Sequence, residues 1–293
     1  MPNAPLISVL LPTHNRSKVL GLAIESVLRQ SVAELELLVV GDGCTDDTAA
    51  VVGSFDDSRI KWFDLPKAPG FGYANRNVAL KEARGDLVAF LGHDNLYFHD
   101  HVERMLAPFA HPAVQFAYSR PLWIRDDGLI IPFFANLALP PVRRRFLSER
   151  NVLPATCVVH RRSCLDDVGL WPEDTERSGD WDLWKRMLNR YGASSVRLVR
   201  QPTCLHFRAD WRDPTRWAPL PVPYVSALAD AGRFWPGELQ LRLGGAEEGL
   251  PQEQVGARLL ERGEKLVASI RTGVEYAQDQ LAWNAGLDPG FEV

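Results

Sequence analysis

Three short apolar runs, at residues 6–11, 35–40 and 87–91, each stop at a cluster of polar and turn-forming residues. The runs are continuous rather than alternating, which is the pattern of strands buried on both faces. Helical spacing fills the intervals. Val19, Leu20, Ala23, Ile24, Val27 and Leu28 form one stripe, with Ser17 as its expected N-cap. Thr45-Asp46-Asp47 reads as a capped helix start running towards Gly53, Ile60–Phe63 as a third short strand, and residues 73–84 as a helix ended by Gly85. Strand–helix alternation of this kind predicts an α/β fold with a parallel sheet covered on both faces.

The pattern changes near residue 114. Val114–Tyr118 reads as a strand, and Leu122–Ile124 with Leu129–Ile131 as a hairpin across Arg125-Asp126-Asp127-Gly128. Cys157–His160 is a further strand, a short helix precedes Gly169, and Leu183, Trp184, Met187 and Leu188 mark a helix over 180–190. Ser195–Val199 and Thr203–Phe207 read as two closing strands. Residues 210–251 are rich in Pro and Gly, and 252–283 carry a near-heptad stripe from Leu259 to Leu281. Packing on the domain and pairing with a second copy both satisfy such a stripe. The expected organisation is a domain over 1–212, divided at about 112, and a mainly helical extension over 213–293.

Charge supports that division. The chain has 33 basic and 37 acidic side chains, a net −4. Residues 215–293 hold seven of the basic and eleven of the acidic ones, so the body is neutral and the tail acidic. A neutral body disfavours a nucleic-acid partner, which needs a basic excess. Four cysteines without a CxxC pair fit reduced thiols. No apolar run reaches the length of a membrane span, and the N-terminus lacks a secretion signal. A cytoplasmic location without a transmembrane segment is therefore expected.

In open parallel sheets ligands collect beyond the carboxyl ends of the strands. Four segments place polar residues there: Pro12-Thr13-His14-Asn15-Arg16, Gly41-Asp42-Gly43, Gly92-His93-Asp94-Asn95, and the helix start at Tyr73–Arg76. Asp42 suits a base N–H or ribose hydroxyls, or else caps the next helix. Asp94 with His93 suits Mg2+ or Mn2+ when a diphosphate supplies the other oxygens, or caps the segment starting near Asp100. Arg76 either reaches phosphate oxygens or is a solvated surface residue. Asp180 opens a helix, where capping is the plain use, but Asp182 follows and one carboxylate is enough. His206 ends a strand, and a single histidine there is more often structural than a ligand.

Taken together, these segments resemble family 2 glycosyltransferases of the GT-A fold, over residues 6–207. The opening strand with P-x-x-N/R is Ser8-Val9-Leu10-Leu11-Pro12-Thr13-His14-Asn15-Arg16, and V-D-D-G-S-T-D-D-T is Val40-Gly41-Asp42-Gly43-Cys44-Thr45-Asp46-Asp47-Thr48. The A-R-N stretch leading into D-x-D is Asn75-Arg76-Asn77 through Phe90-Leu91-Gly92-His93-Asp94. The later G-G-F-D-E and E-D-x-D-L pieces match Gly169-Leu170-Trp171-Pro172-Glu173 and Gly179-Asp180-Trp181-Asp182-Leu183.

The resemblance implies a Rossmann-like, mostly parallel sheet with helices on both faces. It implies Pro12, Thr13, Asn15 and Arg16 around a nucleotide, Asp42 on the base, and Arg76 near ribose or phosphate. His93 and Asp94 would stand at the diphosphate, with Asp94 and His206 at a Mn2+ or Mg2+ ion, and Asp180 would be the catalytic base. Two positions depart from the family: Gly92 replaces the first Asp of D-x-D, and Gly179 replaces the Glu before the base. The implied activity is inverting transfer of one sugar from a nucleotide-diphosphate sugar, UDP in the first instance. The acceptor would be a hydroxyl of a carbohydrate, lipid-linked or small-molecule partner. A nucleotide-sugar-binding protein without turnover is the alternative that the two glycines raise. Nucleotidyl transfer is a third, against which stands the lack of a Gly-rich, basic first loop.

Overall fold

The structure is a computed structural model that describes residues 5–124, 130–132, 135–173, 175 and 178–207. Its first half alternates as the apolar runs require: β1 (Ile7–Thr13), α1 (Ser17–Leu28), β2 (Leu35–Asp42), α2 (Thr48–Gly53), β3 (Ile60–Leu65), α3 (Tyr73–Lys81) and β4 (Leu87–Phe90). Strand β1 pairs in parallel with β2 and β4, and β2 with β3. Ile7, Val9, Leu11, Leu37, Leu38 and Val39 are fully buried, as strands covered on both faces must be. In register, Thr13 lies beside Gly41 and Leu10 beside Phe90. The carboxyl ends of β1, β2 and β4 therefore open on one edge of the sheet.

The second half adds β5 (Asn95–Tyr97), α4 (His101–Leu106), β6 (Phe116–Ile124), β7 (Ile130–Pro132), α5 (Pro140–Ser148), β8 (Val158–Arg161), α6 (Cys164–Val168), α7 (Gly179–Tyr191) and β9 (Val196–Phe207). The sheet runs β3-β2-β1-β4-β8-β6-β9-β5, with β7 on β6. Strands β4 and β8, β8 and β6, and β9 and β5 are antiparallel, while β6 and β9 are parallel. The all-parallel first half thus passes into a mixed sheet. A layer of Phe90, Phe116, His160, Trp171 and Trp184 packs where the two halves meet, with Phe90 in an edge contact 5.2 Å from Trp171.

Several sequence expectations are corrected. The two expected strands 195–199 and 203–207 are one strand, β9, and the strand expected over 114–118 starts at Phe116 and continues through Pro121 to Ile124. Ser17 does not cap α1: Arg16 holds the N-cap position, and the Ser17 N–H donates to the Asp46 carboxylate at 3.0 Å. The four cysteines are free thiols, three of them buried, as expected. Among the described residues no helix is long and apolar enough to cross a membrane. The helix expected over 252–283, and any pairing through it, lies outside the described residues.

Candidate active site

The loop from β3 to α3 closes over the end of β2, and Asp42 is its anchor. Asp42 as a residue is 7% exposed. Its Oδ1 accepts the Ala68 N–H at 2.8 Å and Asn75 Nδ2 at 2.7 Å, and its Oδ2 accepts Lys67 Nζ at 2.5 Å. All three donors come from that one loop and the helix it enters. Gly72 has φ +72°, and a Cβ there would meet the Asp42 carboxylate at 2.6 Å, so only glycine lets the loop approach. Asp42 does not cap α2. Asp47 holds the N-cap position of α2, and Asp46 Oδ1 accepts both the N–H and the hydroxyl of Thr48, the first helical residue. Accepting several hydrogen bonds outweighs burial and holds the Asp46 carboxyl at about 2.

The end of β1 is tied to the same edge. His14 Nδ1 lies 2.7 Å from the Asp42 carbonyl oxygen. Asn15, with φ +51°, turns its Oδ1 to accept the N–H groups of Thr45 at 2.7 Å and Asp46 at 3.3 Å. Asn15 thereby fastens the β1 loop to the β2 loop. Pro12 is half-buried beside Val40, and Arg16 is the N-cap residue of α1. Thr13 is 2% exposed, and its Oγ1 has no hydrogen-bond partner among the described residues.

Beyond β4 the chain turns tightly, with the Asn95 N–H donating to the Gly92 carbonyl at 3.0 Å. Thr156 Oγ1 accepts from Asn95 Nδ2 at 3.0 Å and from the Gly92 N–H at 3.3 Å, pinning both ends of the turn. His93 and Asp94 are the half-exposed residues between these anchors. The antiparallel pairing of β5 with β9 puts His206 directly opposite Asn95, one residue from Asp94. The backbone pairing therefore places Asp94 next to the residue that faces His206, although the two lie 112 positions apart in the chain. Among the described residues no group of three His, Cys, Asp or Glu forms a preformed metal cage. One carboxylate with a histidine nearby fits an ion that keeps most of its oxygen ligands from a bound diphosphate, as Mg2+ and Mn2+ do.

Arg76 and Asp180 meet from two different helices. Arg76 is on α3 and Asp180 in the first turn of α7, with Nη1 and Oδ1 3.5 Å apart. Asp180 is not the N-cap, a position held by Ser178. The guanidinium carbon lies 4.7 Å over the Tyr73 ring and 5.9 Å from that of Trp171, and the Arg76 Nε is buried without a partner among the described residues. Burial, with the Asp180 charge beside it, pushes the Tyr73 phenol above its usual range. Asn77 holds the far wall: its Nδ2 donates to the Trp171 carbonyl at 2.9 Å and to Glu173 at 3.0 Å.

The structure thus gathers Thr13, Asp42, Arg76, Asp94, Asp180 and His206 around the carboxyl edge of the sheet. Sequence reasoning missed Lys67, Asn75 and Thr156 as supports of that edge. Trp171 and Trp184 are core residues, 2% and 0% exposed. Trp181 is half-buried, its Nε1 donating to the Phe146 carbonyl at 2.7 Å. The Trp123 side chain lies outside the described residues.

This architecture, an all-parallel half joined to a half with mixed pairing, is that of the GT-A glycosyltransferases. The fold matches S. aureus TarS in complex with UDP-GlcNAc, with a TM-score of 0.57 over 98% of this chain and 94% of that one at 17% identity. It also matches the mannosyltransferase PcManGT of Pyrobaculum calidifontis in complex with GDP-Man and Mn2+, with a TM-score of 0.53 over 97% and 88% at 16% identity. At these identities the likeness is one of fold. The family model for glycosyl transferase family 2 matches residues 8–169, more than half of the chain, and the chain belongs to that family.

Among curated relatives, UDP-Glc:alpha-D-GlcNAc-diphosphoundecaprenol beta-1,3-glucosyltransferase WfgD of Escherichia coli is 34% identical, over 44% of this chain and 51% of its own length. GalNAc(5)-diNAcBac-PP-undecaprenol beta-1,3-glucosyltransferase of Campylobacter jejuni is 39% identical, over 31% and 30%. The chain spans about half the length of these relatives or less.

Proposed function

We propose that the protein transfers a single sugar from a nucleotide-diphosphate sugar, UDP in the first instance, to a hydroxyl acceptor with inversion at the anomeric carbon. The observation that carries this reading is the Arg76–Asp180 pair, set over Tyr73 at the carboxyl edge of the strands. A guanidinium that can turn to phosphate oxygens stands beside a carboxylate that can take a proton. UDP-GlcNAc and GDP-Man in solved proteins of the same fold, and UDP-glucose in the name of the E. coli relative, support a diphosphate donor.

In this reading the base lies against Asp42 and the loop at Lys67, with Pro12, Thr13, Asn15 and Arg16 lining the same side. Arg76 and His93 face the diphosphate. The acceptor oxygen attacks the anomeric carbon from the side of Asp180, which takes the hydroxyl proton. The bond from the anomeric carbon to the phosphate oxygen breaks, and the electron pair leaves with the diphosphate. A single displacement inverts the configuration. Asp94, with His206 beside it, would hold Mn2+ or Mg2+, which supplies positive charge to the leaving diphosphate. Mn2+ in solved proteins of this fold supports that ion. Lipid-linked acceptors in the names of both curated relatives make a polyprenyl-diphosphate glycan the first acceptor to try.

The test is UDP release from a panel of UDP-sugars with Mn2+, with and without acceptor, for the unmodified protein and Asp180→Asn. The variant is expected to lose about 10²–10⁴-fold in turnover while UDP still binds. Tight donor binding by the unmodified protein with no UDP release on any acceptor would instead establish the non-catalytic binding protein. Undiminished turnover by Asp180→Asn would remove Asp180 as the base.

A further inference from the structure

Helix α7, which carries Asp180, begins without a cap of its own. Ser178 at the N-cap position has φ +62° and makes no side-chain bond to the first turn. The first N–H groups of a helix have no partner within it and need an outside acceptor. That of Gly179 finds one on another helix, donating to the Tyr73 hydroxyl at 3.0 Å. Tyr73 is the first residue of α3 and 4% exposed. The acceptor therefore comes from the helix that carries Arg76.

The ring of Tyr73 does a second job. One face carries the Arg76 guanidinium. The ring also fills the space where a side chain at residue 179 would begin: a Cβ on Gly179 would meet its Cζ at 2.6 Å and its Cε1 at 2.7 Å. The missing acidic residue before Asp180 and the presence of Tyr73 are thus one arrangement. Its chemistry is suited to the place. Burial and the neighbouring Asp180 keep the phenol protonated, so the helix start is capped by a neutral oxygen. A carboxylate in that position would repel Asp180 and compete for Arg76.

We infer that Tyr73 is a positioning residue: its hydroxyl caps α7 from α3, and its ring sets the spacing between Arg76 and the Asp180 carboxylate. The catalytic part of this inference rests on Asp180 acting as the base; the capping part does not.

The test is Tyr73→Phe, which keeps the ring and removes only the hydroxyl. Amide hydrogen exchange over residues 178–182 is expected to rise about tenfold or more, the mark of a helix start that has lost its acceptor. With Mn2+ and the UDP-sugar that the unmodified protein turns over fastest (UDP-glucose, UDP-GlcNAc or UDP-galactose), kcat is expected to fall about 10²-fold, as for a misplaced catalytic group. The donor KM and the affinity for UDP should change by less than about threefold, a split that general loss of structure would not give.

Gly179→Ala presses on the same contact from the other side and is expected to lower kcat in the same way. It carries the test if Tyr73→Phe does not fold. Unchanged exchange in Tyr73→Phe overturns the cap, and raised exchange with unchanged kcat overturns the positioning role. Full turnover by Asp180→Asn would refute the base assignment and leave the exchange result standing on its own.

Discussion

Replacing Asp42 by Asn tests how the nucleotide edge is built, because the change keeps shape and removes charge. Asn presents one acceptor oxygen, which can still serve Ala68 N–H and Asn75 Nδ2, and turns an amide towards Lys67 Nζ. The Lys67 bond is lost, although its ammonium keeps the Ala68 carbonyl at 2.8 Å. A hydrogen bond to a charged group contributes about 1.5–3 kcal/mol. The Lys67 side chain is 46% exposed, so solvent screening sets its share at the low end, about 1–2 kcal/mol. The two bonds at Oδ1 change from charge-assisted to neutral and lose roughly half their strength, together about 1–2 kcal/mol. The sum is about 2–4 kcal/mol, or about 5–15 °C in thermal midpoint for a domain of this size.

Thermal unfolding with and without UDP reads both consequences. The free protein should melt lower by that amount, and UDP affinity should fall by about 10–100-fold as the β3–α3 loop loosens from the site. Lys67→Met should cost only the Lys67 share, about 1–2 kcal/mol. A midpoint within about 2 °C of the unmodified protein, well inside the expected fall, would show that the carboxylate charge does not organise this loop. The role argued for Asp42 would then fail.

Two further outcomes follow from the same edge and from the core behind it. Asp94→Ala should abolish the enhancement of UDP binding by Mn2+ in calorimetry, and an undiminished enhancement would remove the assignment of the ion to that carboxylate. His160 is fully buried against Phe90 and Trp184, and burial lowers its imidazole to about 4. The unfolded chain then binds a proton below about 6.5 that the folded protein refuses, so stability is lost as pH falls from about 6.5 to 4, by up to about 3 kcal/mol. His160→Phe should flatten that fall in thermal midpoint, and an equal slope in both proteins would refute the assignment.

The parts of the fold legible in the sequence are those where one physical signal acts alone. Strands β1, β2 and β4 are covered on both faces, and their apolar runs say so directly. Strand β9 was not legible as one element because Gln201-Pro202 interrupts the pattern, and proline removes a ladder donor. In the structure Pro202 sits opposite Arg120, where the pairing with β6 slips register, and Pro121 on β6 follows at the next slip. The two prolines share one irregularity, so each strand continues past it. Helix α4 has six residues, too few to show a period, and α5 buries only Phe146, so no apolar stripe marks it. At the site, residues at strand ends were legible, since topology alone puts them at one edge. Lys67 and Tyr73 were not, because their roles depend on a loop that folds back over Asp42 and on a helix that arrives about 100 residues later.

The two glycines that depart from the family pattern bear on a final prediction. If Gly92 were only a lost ligand, Gly92→Asp would restore the D-x-D pattern and strengthen the hold on the ion. The packing argues the reverse. A Cβ at residue 92 would meet Asn95 Nδ2 at 2.4 Å and Asp94 Oδ1 at 3.0 Å. Asn95 is 4% exposed, bonded to Thr156, and paired across the sheet with His206. To admit the side chain it must give up the Thr156 bond, about 1 kcal/mol, and the turn that presents Asp94 beside His206 shifts with it. The added carboxylate also stands next to Asp94, where like charges oppose each other. Gly92→Asp is therefore expected to lower the affinity for UDP with Mn2+. The same measurement without the ion separates the loss at the turn from any gain in coordination. A tenfold or greater rise in Mn2+-dependent affinity, about 1.4 kcal/mol, would show that the turn yields more readily than its contacts imply and that the missing aspartate is a missing ligand.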